Sequence, residues 1–281
     1  MKLAVGICVA VVLLVLAVWI FLILPRIRNA ADRELIGVHY AHRGLHGENV
    51  PENSLAAFAL ARNAGYGIEL DVRLSRDRRV MVFHDDTLKR MCGVDRRVEE
   101  LTCAELQSLR LAGSDQTIPT LAQVLALIGG RVPLLIELKG TGRDESPLCK
   151  RVSKLLDDYA GAFAIESFNP MILSWFRNYR PRFARGILVT RTKPGEGRGR
   201  LVSFALTHML FNVIARPDFI AVNYKRRSAP SVLLCTRVFQ ATGFAWTVRT
   251  PEVFHACCKA GMFCIFEKIQ PRQTKQKRGI L

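Results

Sequence analysis

The sequence predicts an α/β fold: a closed (β/α)8 TIM barrel carrying a small insertion and preceded by one transmembrane helix. Three observations lead there. Short β-like runs alternate with helix-like runs from residue 35 onward, the pattern a (β/α)8 barrel requires. Setting aside the N-terminal apolar run leaves about 250 residues, an ordinary size for one such barrel. That run is uncharged from Leu3 to Leu24, and as a helix it is about as long as the bilayer hydrocarbon is thick.

Residues 1–33 read as an anchor and linker, and 34–281 as the barrel. A secretory signal peptide would have a shorter apolar core, roughly 7–15 residues, ending in a small-residue cleavage site. Here "ILPRIRNAAD" places Pro25 and two arginines directly after the core, so the expectation is an uncleaved single-pass membrane anchor. Lys2 and the N-terminal amine precede it, whereas Arg26, Arg28 and Arg33 follow it. The positive-inside rule then leans towards a cytoplasmic main domain. Seven of the eight cysteines follow the anchor without regular spacing. They read as scattered thiols, not a disulfide framework, and point the same way.

The elements follow in order. "LIGVHYAH" is the first strand. "NSLAAFALARNAG" is a helix: Asn53 suits its N-cap, Leu55, Phe58 and Ala59 share a face, and Gly65 suits its stop. "GIELDVRL" is the second strand. "VPLLIELK", "AFAIESF", "ARGILVT", "DFIAVNY", "FAWTV" and "MFCIF" are the third to eighth, separated by helical runs such as "TLAQVLALIGG", "PMILSWFRNY" and "PEVFHACCKAG". "RVMVFHDD" breaks the alternation. It follows "ELDVRLS" after only "RDR", too short a connection for a parallel neighbour, so a hairpin is expected. A turn centred on Asp77–Arg78 pairs residues whose numbers sum to 155 and sets His84 opposite Asp71. The stretch from about 86 to 118 reads as an insertion on the top face, with "LTCAELQSL" a short helix headed by a Thr102/Glu105 capping box.

The formal net charge is +17. A solvated basic surface accounts for part of it, and attraction of a tethered domain to anionic lipid headgroups is the sharper expectation. The basic residues are spread along the chain without a zinc-finger or RNP-type motif, so no nucleic-acid partner is expected.

Barrels of this kind carry function at the C-terminal ends of their strands. The first strand ends in His42 and Arg43, and the second carries Glu69 and Asp71 on one face. The hairpin returns His84 and Asp85, the third strand ends in Glu137 and Lys139, and the fourth carries Glu166. Three carboxylates converging on a barrel mouth repel one another unless a cation neutralises them. Oxygen-only ligation suits one hard divalent ion, magnesium or calcium. Arg43 and Lys139 make an anion site beside it, arginine being suited to phosphate. His42 and His84 titrate near neutrality, as an acid–base pair should. Singly, each residue has a bland reading as a strand-end hydrogen bonder or surface charge. Together they point to phosphodiester cleavage.

With these residues in view, "HRG…PENSLAAF…GIELDVRLSRD…VMVFHDDTL.R", "IPTLAQVLALI" and "LLIELK" resemble the glycerophosphodiester phosphodiesterase family. The resemblance spans roughly Val38 to Lys139 and extends loosely through "ESFNP" and "FAWTV". It implies a TIM barrel of the phospholipase C-like phosphodiesterase type and dependence on a divalent metal. It also implies hydrolysis of glycerophosphodiesters to sn-glycerol 3-phosphate and an alcohol. By matching positions it implies His42 and His84 as the acid–base pair, Glu69, Asp71 and Glu137 as metal ligands, and Arg43 and Lys139 as phosphate contacts. Glu52 either orients Arg43 or favours a helix N-terminus; Phe168 and Trp246 either line a glycerol pocket or pack in the core. His46 and Glu48 are given no role, and His39, His208 and His255 are taken as structural. The family commonly ends its last strand with Gly–x–Asp–Gly…Thr–Asp–x–Pro, whereas this chain reads "GMFCIFEKIQP". That departure is expected to bear on the alcohol group and to leave the catalytic residues untouched. Two alternatives stand beside this reading: a phospholipase C- or lysophospholipase D-like enzyme acting on lipid, and a non-catalytic diester-binding protein.

Overall fold

Eight parallel strands close on themselves around an interior filled by side chains. The computed structural model describes residues 1–26, 38–140, 144–191 and 199–271. The strands are β1 (Tyr40–His42), β2 (Gly67–Leu74), β3 (Val80–Val82), β4 (Leu134–Leu138), β5 (Phe163–Ser167), β6 (Ala184–Val189), β7 (Phe219–Asn223), β8 (Thr242–Val248) and β9 (Phe263–Phe266). All but β3 belong to the barrel, in the order β1-β2-β4-β5-β6-β7-β8-β9, and β9 pairs back with β1 to close the ring. These are the eight strands read from the sequence. The part of the first run before Val38 lies outside the described residues.

Strand alternation builds two apolar layers. Ile68, Leu70 and Val72 on β2, and Leu134, Ile136 and Leu138 on β4, face outward into the layer shared with the helices. Tyr40, Leu135, Ala164, Phe219 and Phe244 fill the barrel interior. Gly186 on β6 makes room there, because a Cβ would meet the Phe219 ring at 1.9 Å. The interior positions of the opposite parity to Ile68 and Ile136 continue upward as Glu69, Asp71 and Glu137, so the pleat that packs the core also stacks the charges above it.

The helices of eight or more residues are α1 (Lys2–Ile23), α2 (Leu55–Asn63), α5 (Leu121–Ile128), α6 (Ser146–Asp157), α7 (Pro170–Tyr179), α8 (Arg200–Thr207) and α11 (Pro251–Lys259). Shorter ones are α3 (Lys89–Cys92), α4 (Cys103–Gln107), α9 (Asn212–Ala215) and α10 (Pro230–Leu233). The N-cap of α2 is Ser54, whose side chain accepts from the Ala57 N–H at 3.1 Å, and not the expected Asn53. Asn53 is turned instead to a carboxylate, as described below. The Thr102/Glu105 capping box of α4 forms as the sequence suggested.

The hairpin differs from expectation by one residue. Val72 pairs with Val82, and the Phe83 N–H bonds to the Asp71 carbonyl at 2.9 Å. Phe83, not His84, therefore faces Asp71 along the backbone. The cause is the turn: the Ser75 side chain accepts from the Arg79 N–H, and the Ser75 N–H donates to the Arg79 carbonyl. This centres the turn on Asp77 and not on the Asp77–Arg78 bond. Beyond β3 the chain forms a satellite core of Met81, Phe83, Leu88, Met91, Leu106, Leu111 and Ile118.

Among the described residues, the apolar helix α1 joins the barrel through its C-terminal end, from Trp19 onward. Its terminal carbonyls, which a helix leaves without partners, are met by the domain: Asn212 Nδ2 donates to Ile23 O at 2.9 Å and Arg216 Nη1 to Leu24 O at 2.9 Å. The Arg26 N–H then donates to Pro217 O at 2.8 Å. Pro217 lies two residues before β7, so the helix joins at the N-terminal end of the strands.

Candidate active site

At the opposite end, strand register sets the carboxylates side by side. His42 is level with Glu69, Asp71 with Glu137, and Glu137 with Glu166. One oxygen from each of Glu69, Asp71 and Glu137 lies within 4.8 Å of the others, and all three residues are buried. Burial pushes the Glu69 carboxyl well up, with Asp71, Glu166 and Glu137 adding repulsion. Glu137 is pushed up to about 7 by burial, with Lys139 opposing. Burial raises Glu166 as well, and its Oε2 has no hydrogen-bond partner among the described residues. Asp71 goes the other way: burial disfavours its charge, but Lys139, His84 and Arg43 outweigh it and hold its carboxyl well below the usual range.

The cations are embedded among these acids. Lys139 Nζ is 2.9 Å from Asp71 Oδ1 and 2.7 Å from Glu137 Oε1. Burial works against the Lys139 charge, yet Asp71 and Glu137 keep it above the ordinary lysine value. Arg43 adopts a positive φ of 54°, which lets its N–H donate to Glu69 Oε2 at 2.9 Å. Its guanidinium meets Glu52 at 2.7 Å and Asp71 at 3.3 Å. The next residue, Gly44, has φ 82°, and a Cβ there would meet Ala57 at 2.8 Å; the His–Arg–Gly triplet needs its glycine for this close approach. Asn53, also at positive φ, donates from Nδ2 to Asp71 Oδ2 at 2.8 Å.

Both histidines are held by a carboxylate at Nδ1. His42 Nδ1 is 2.6 Å from Glu267 Oε2, and His84 Nδ1 is 2.6 Å from Asp85 Oδ1. An ionised carboxylate can only accept, so each Nδ1 carries the hydrogen and each Nε2 keeps its lone pair. Burial pushes both imidazoles below their usual value, and the partner carboxylates pull back. Asp85 is held in turn by Arg90, which also bonds Glu52 at 2.7 Å. A chain of alternating basic and acidic side chains therefore runs His84–Asp85–Arg90–Glu52–Arg43–Asp71–Lys139–Glu137.

All seven residues singled out as the chemical set lie at this mouth. Of the remaining candidates, Glu52 Oε1 accepts from Arg43 Nη1 at 2.7 Å, the contact that the first of its two readings requires. Phe168 and Trp246 meet edge to face with centroids 5.5 Å apart, packed on the interior cluster, and Trp246 Nε1 donates to Ala221 O at 3.0 Å. Glu267, Asn53 and Arg90 are additions. Glu267 overturns one expectation: the departure in "GMFCIFEKIQP" does reach the proposed catalytic residues, because its glutamate bonds His42. His46, given no role, stands 3.6 Å from the same carboxylate. The strand-end rule applied to the eighth strand, "FCIFE", would have found Glu267.

The profile of the Glycerophosphoryl diester phosphodiesterase family matches residues 42–267. A glycerophosphodiester phosphodiesterase of Caldanaerobacter subterraneus subsp. tengcongensis is 31% identical over 236 residues, 79% of this chain and 90% of that protein. Human lysophospholipase D GDPD1 is 32% identical over 140 residues, 45% of this chain and 43% of that protein. Among solved structures, an Oleispira antarctica phosphodiesterase in complex with sn-glycerol-3-phosphate superposes with a TM-score of 0.69 at 24% identity, covering 84% of this chain and 94% of that one. A Thermotoga maritima glycerophosphodiester phosphodiesterase gives 0.62 at 26% identity, covering 82% and 94%.

Proposed function

The chain belongs to the glycerophosphoryl diester phosphodiesterase family, and we propose from that premise how its residues carry out the reaction. The activity is hydrolysis of glycerophosphodiesters to sn-glycerol 3-phosphate and an alcohol. The observation that carries the reading is the pair of imidazoles, each with Nδ1 on a carboxylate and with His42 Nε2 4.0 Å from Glu69 Oε2, beside a cluster of three carboxylates and two cations.

The donor set fits a hard divalent ion. Glu69, Asp71 and Glu137 present only oxygens, Glu69 and Glu137 are pushed away from ionisation by burial and by their neighbours' charge, and Glu166 Oε2 beside them has no hydrogen-bond partner among the described residues. These three residues would hold magnesium or calcium, which supplies positive charge for a phosphoryl oxygen. Arg43 binds a further phosphate oxygen and is kept extended towards it by Glu52. Lys139 adds positive charge and neutralises Asp71 and Glu137. One imidazole Nε2 takes a proton from the attacking water, whose oxygen ends on the phosphorus, while the other, protonated at Nε2 beforehand, gives one to the departing alkoxide as its P–O bond breaks. Glu267 and Asp85 steady the imidazolium in each half of that exchange. Phe168 and Trp246 offer an apolar wall to the glycerol carbons.

We further read α1 as a single-pass membrane anchor, with the barrel on the cytoplasmic side and its basic surface drawn to anionic headgroups. Its support is a 22-residue helix of almost wholly exposed apolar side chains. The experiment that tests the substrate class is a panel of soluble glycerophosphodiesters and lysophospholipid micelles, assayed with magnesium and calcium in turn on the full chain in detergent. Soluble diesters should be the better substrates. Turnover confined to the micelles would replace this reading with the lipid-directed one.

A further inference from the structure

The exposed apolar residues of the barrel are not scattered. Outside α1, the large apolar side chains exposed among the described residues are Leu60 and six others: Met171, Tyr179, Leu201, Val202, Phe204 and Val238. The six lie on one flank, on α7, α8 and the turn before β8. Helix α8 is amphipathic in the wrong sense for a water-facing helix. It turns the hydroxyls of Ser203 and Thr207 inward and leaves Leu201 84%, Phe204 57% and Val202 43% exposed. Burial of apolar surface normally orients a helix the other way.

The same flank holds much of the positive charge. Across 170–191 and 199–240 the sequence has eleven basic residues and one acid, Asp218, in a chain whose net charge is +17; of the eleven, Arg185 is buried and Arg180 is paired with Asp157 on α6. Asp218 is buried and is taken up by the Arg185 N–H and by Arg26. The flank is also where the anchor joins: Asn212 and Arg216, which hold the end of α1, follow α8 by a few residues, and the Arg216 guanidinium lies 5.0 Å from the Phe21 ring centroid. The anchor marks the lower end of this flank. Arg191, α8 and the Tyr224–Arg227 turn, which follow the C-terminal ends of β6 and β7, mark its upper end.

We propose that this β6–β8 flank is a membrane-contact surface for an anionic bilayer, on which the barrel lies with its axis along the membrane and the β6–β7 edge of its mouth at the headgroups. Charge complementarity and continuity with the anchor name the occupant. Cations seat on lipid phosphates while Leu201, Val202 and Phe204 enter the acyl boundary. A polyanion such as nucleic acid would be attracted by the charge but offers no apolar phase for α8. The proposal rests on the reading of α1 as a membrane span and not on the identity of the substrate.

Hydrogen exchange of the full chain tests it, in detergent, in phosphatidylcholine nanodiscs and in phosphatidylcholine–phosphatidylglycerol nanodiscs. Amides of 200–207 and 224–227 should exchange at least about fivefold more slowly in the anionic discs than in either other state. The protection should be lost in Leu201→Ser/Phe204→Ser and in Arg200→Glu/Lys225→Glu, and kept in Leu60→Ser. Equal exchange in both disc types would overturn the proposal. So would protection that grows with protein concentration in detergent, the mark of a second copy covering the patch. Retention of the chain on vesicles through an alkaline carbonate wash tests the anchor separately. A chain released by that wash would remove the reading of α1 on which the proposal rests, whereas a retained chain with equal exchange in the two disc types would end the proposal alone.

Discussion

Glu267 and His42 are 225 residues apart in sequence and 2.6 Å apart at the barrel mouth. The first and last barrel strands are neighbours because the ring closes between them, so the residue after β9 reaches the residue ending β1. The carboxylate fixes the imidazole tautomer and raises its basicity.

Glu267→Gln should keep the fold and lower kcat by roughly 10²-fold with KM little changed. Because Glu267 raises the His42 value against the effect of burial, its removal should move the His42-dependent limb of the pH–rate profile to lower pH. Steady-state kinetics across pH checks both. A purely structural Glu267 would leave the limb where it is.

Arg43→Lys should lose roughly 10²-fold in kcat/KM. One ammonium cannot span Glu52 and Asp71 as the guanidinium does while still presenting a donor to phosphate. The thermal midpoint should change less than in Arg43→Ala, which leaves Asp71 short of a buried partner.

Glu137 makes stability depend on pH in a defined direction. Its folded value of about 7 lies above the ordinary carboxylate value of 4.5, so between these the folded state binds more protons than the unfolded state, and stability falls as pH rises. His42 and His84 are lowered on folding and act in the opposite sense below their unfolded value. The Glu137 contribution is therefore read as a difference. In chelator, Glu137→Gln should gain thermal stability relative to the parent as pH rises from about 4.5 to about 7. Calorimetry across that window checks it. Adding magnesium or calcium should stabilise the parent at neutral pH far more than the variant.

Asn53→Ala should cost about 1–3 kcal/mol for the lost buried hydrogen bond to Asp71, with a smaller further penalty because alanine tolerates the positive φ of this position less well than asparagine. Asn53→Gly should recover the second part and not the first. Urea unfolding of the two variants separates them.

Much of this site is visible in the sequence because it depends on strand parity and strand ends, both local. "ELD" and "ELK" place Glu69, Asp71, Glu137 and Lys139 on the inner face of any strand they form, and alternation with helices makes those strands parallel. Pairings made by closure or by side-chain choice are less visible. The hairpin register turned on whether the Ser75 hydroxyl would close the turn on Arg79, a difference of one residue. Asn53 and Ser54 are both good caps, and the choice between them was made by Asp71, eighteen residues on. Arg90 joins Glu52 to Asp85 only once the chain after β3 has folded back against the loop that follows β1. Glu267 needed the ring closed before its neighbour could be named.

Release of sn-glycerol 3-phosphate from glycerophosphocholine by the purified full chain is the most direct test of the central claim, that His42 and a metal-binding carboxylate cluster cleave the diester. The account predicts turnover with magnesium or calcium, its abolition by chelator with recovery on adding metal back, and a loss of at least about 10²-fold in His42→Ala. Turnover undiminished by chelator and by His42→Ala would contradict it.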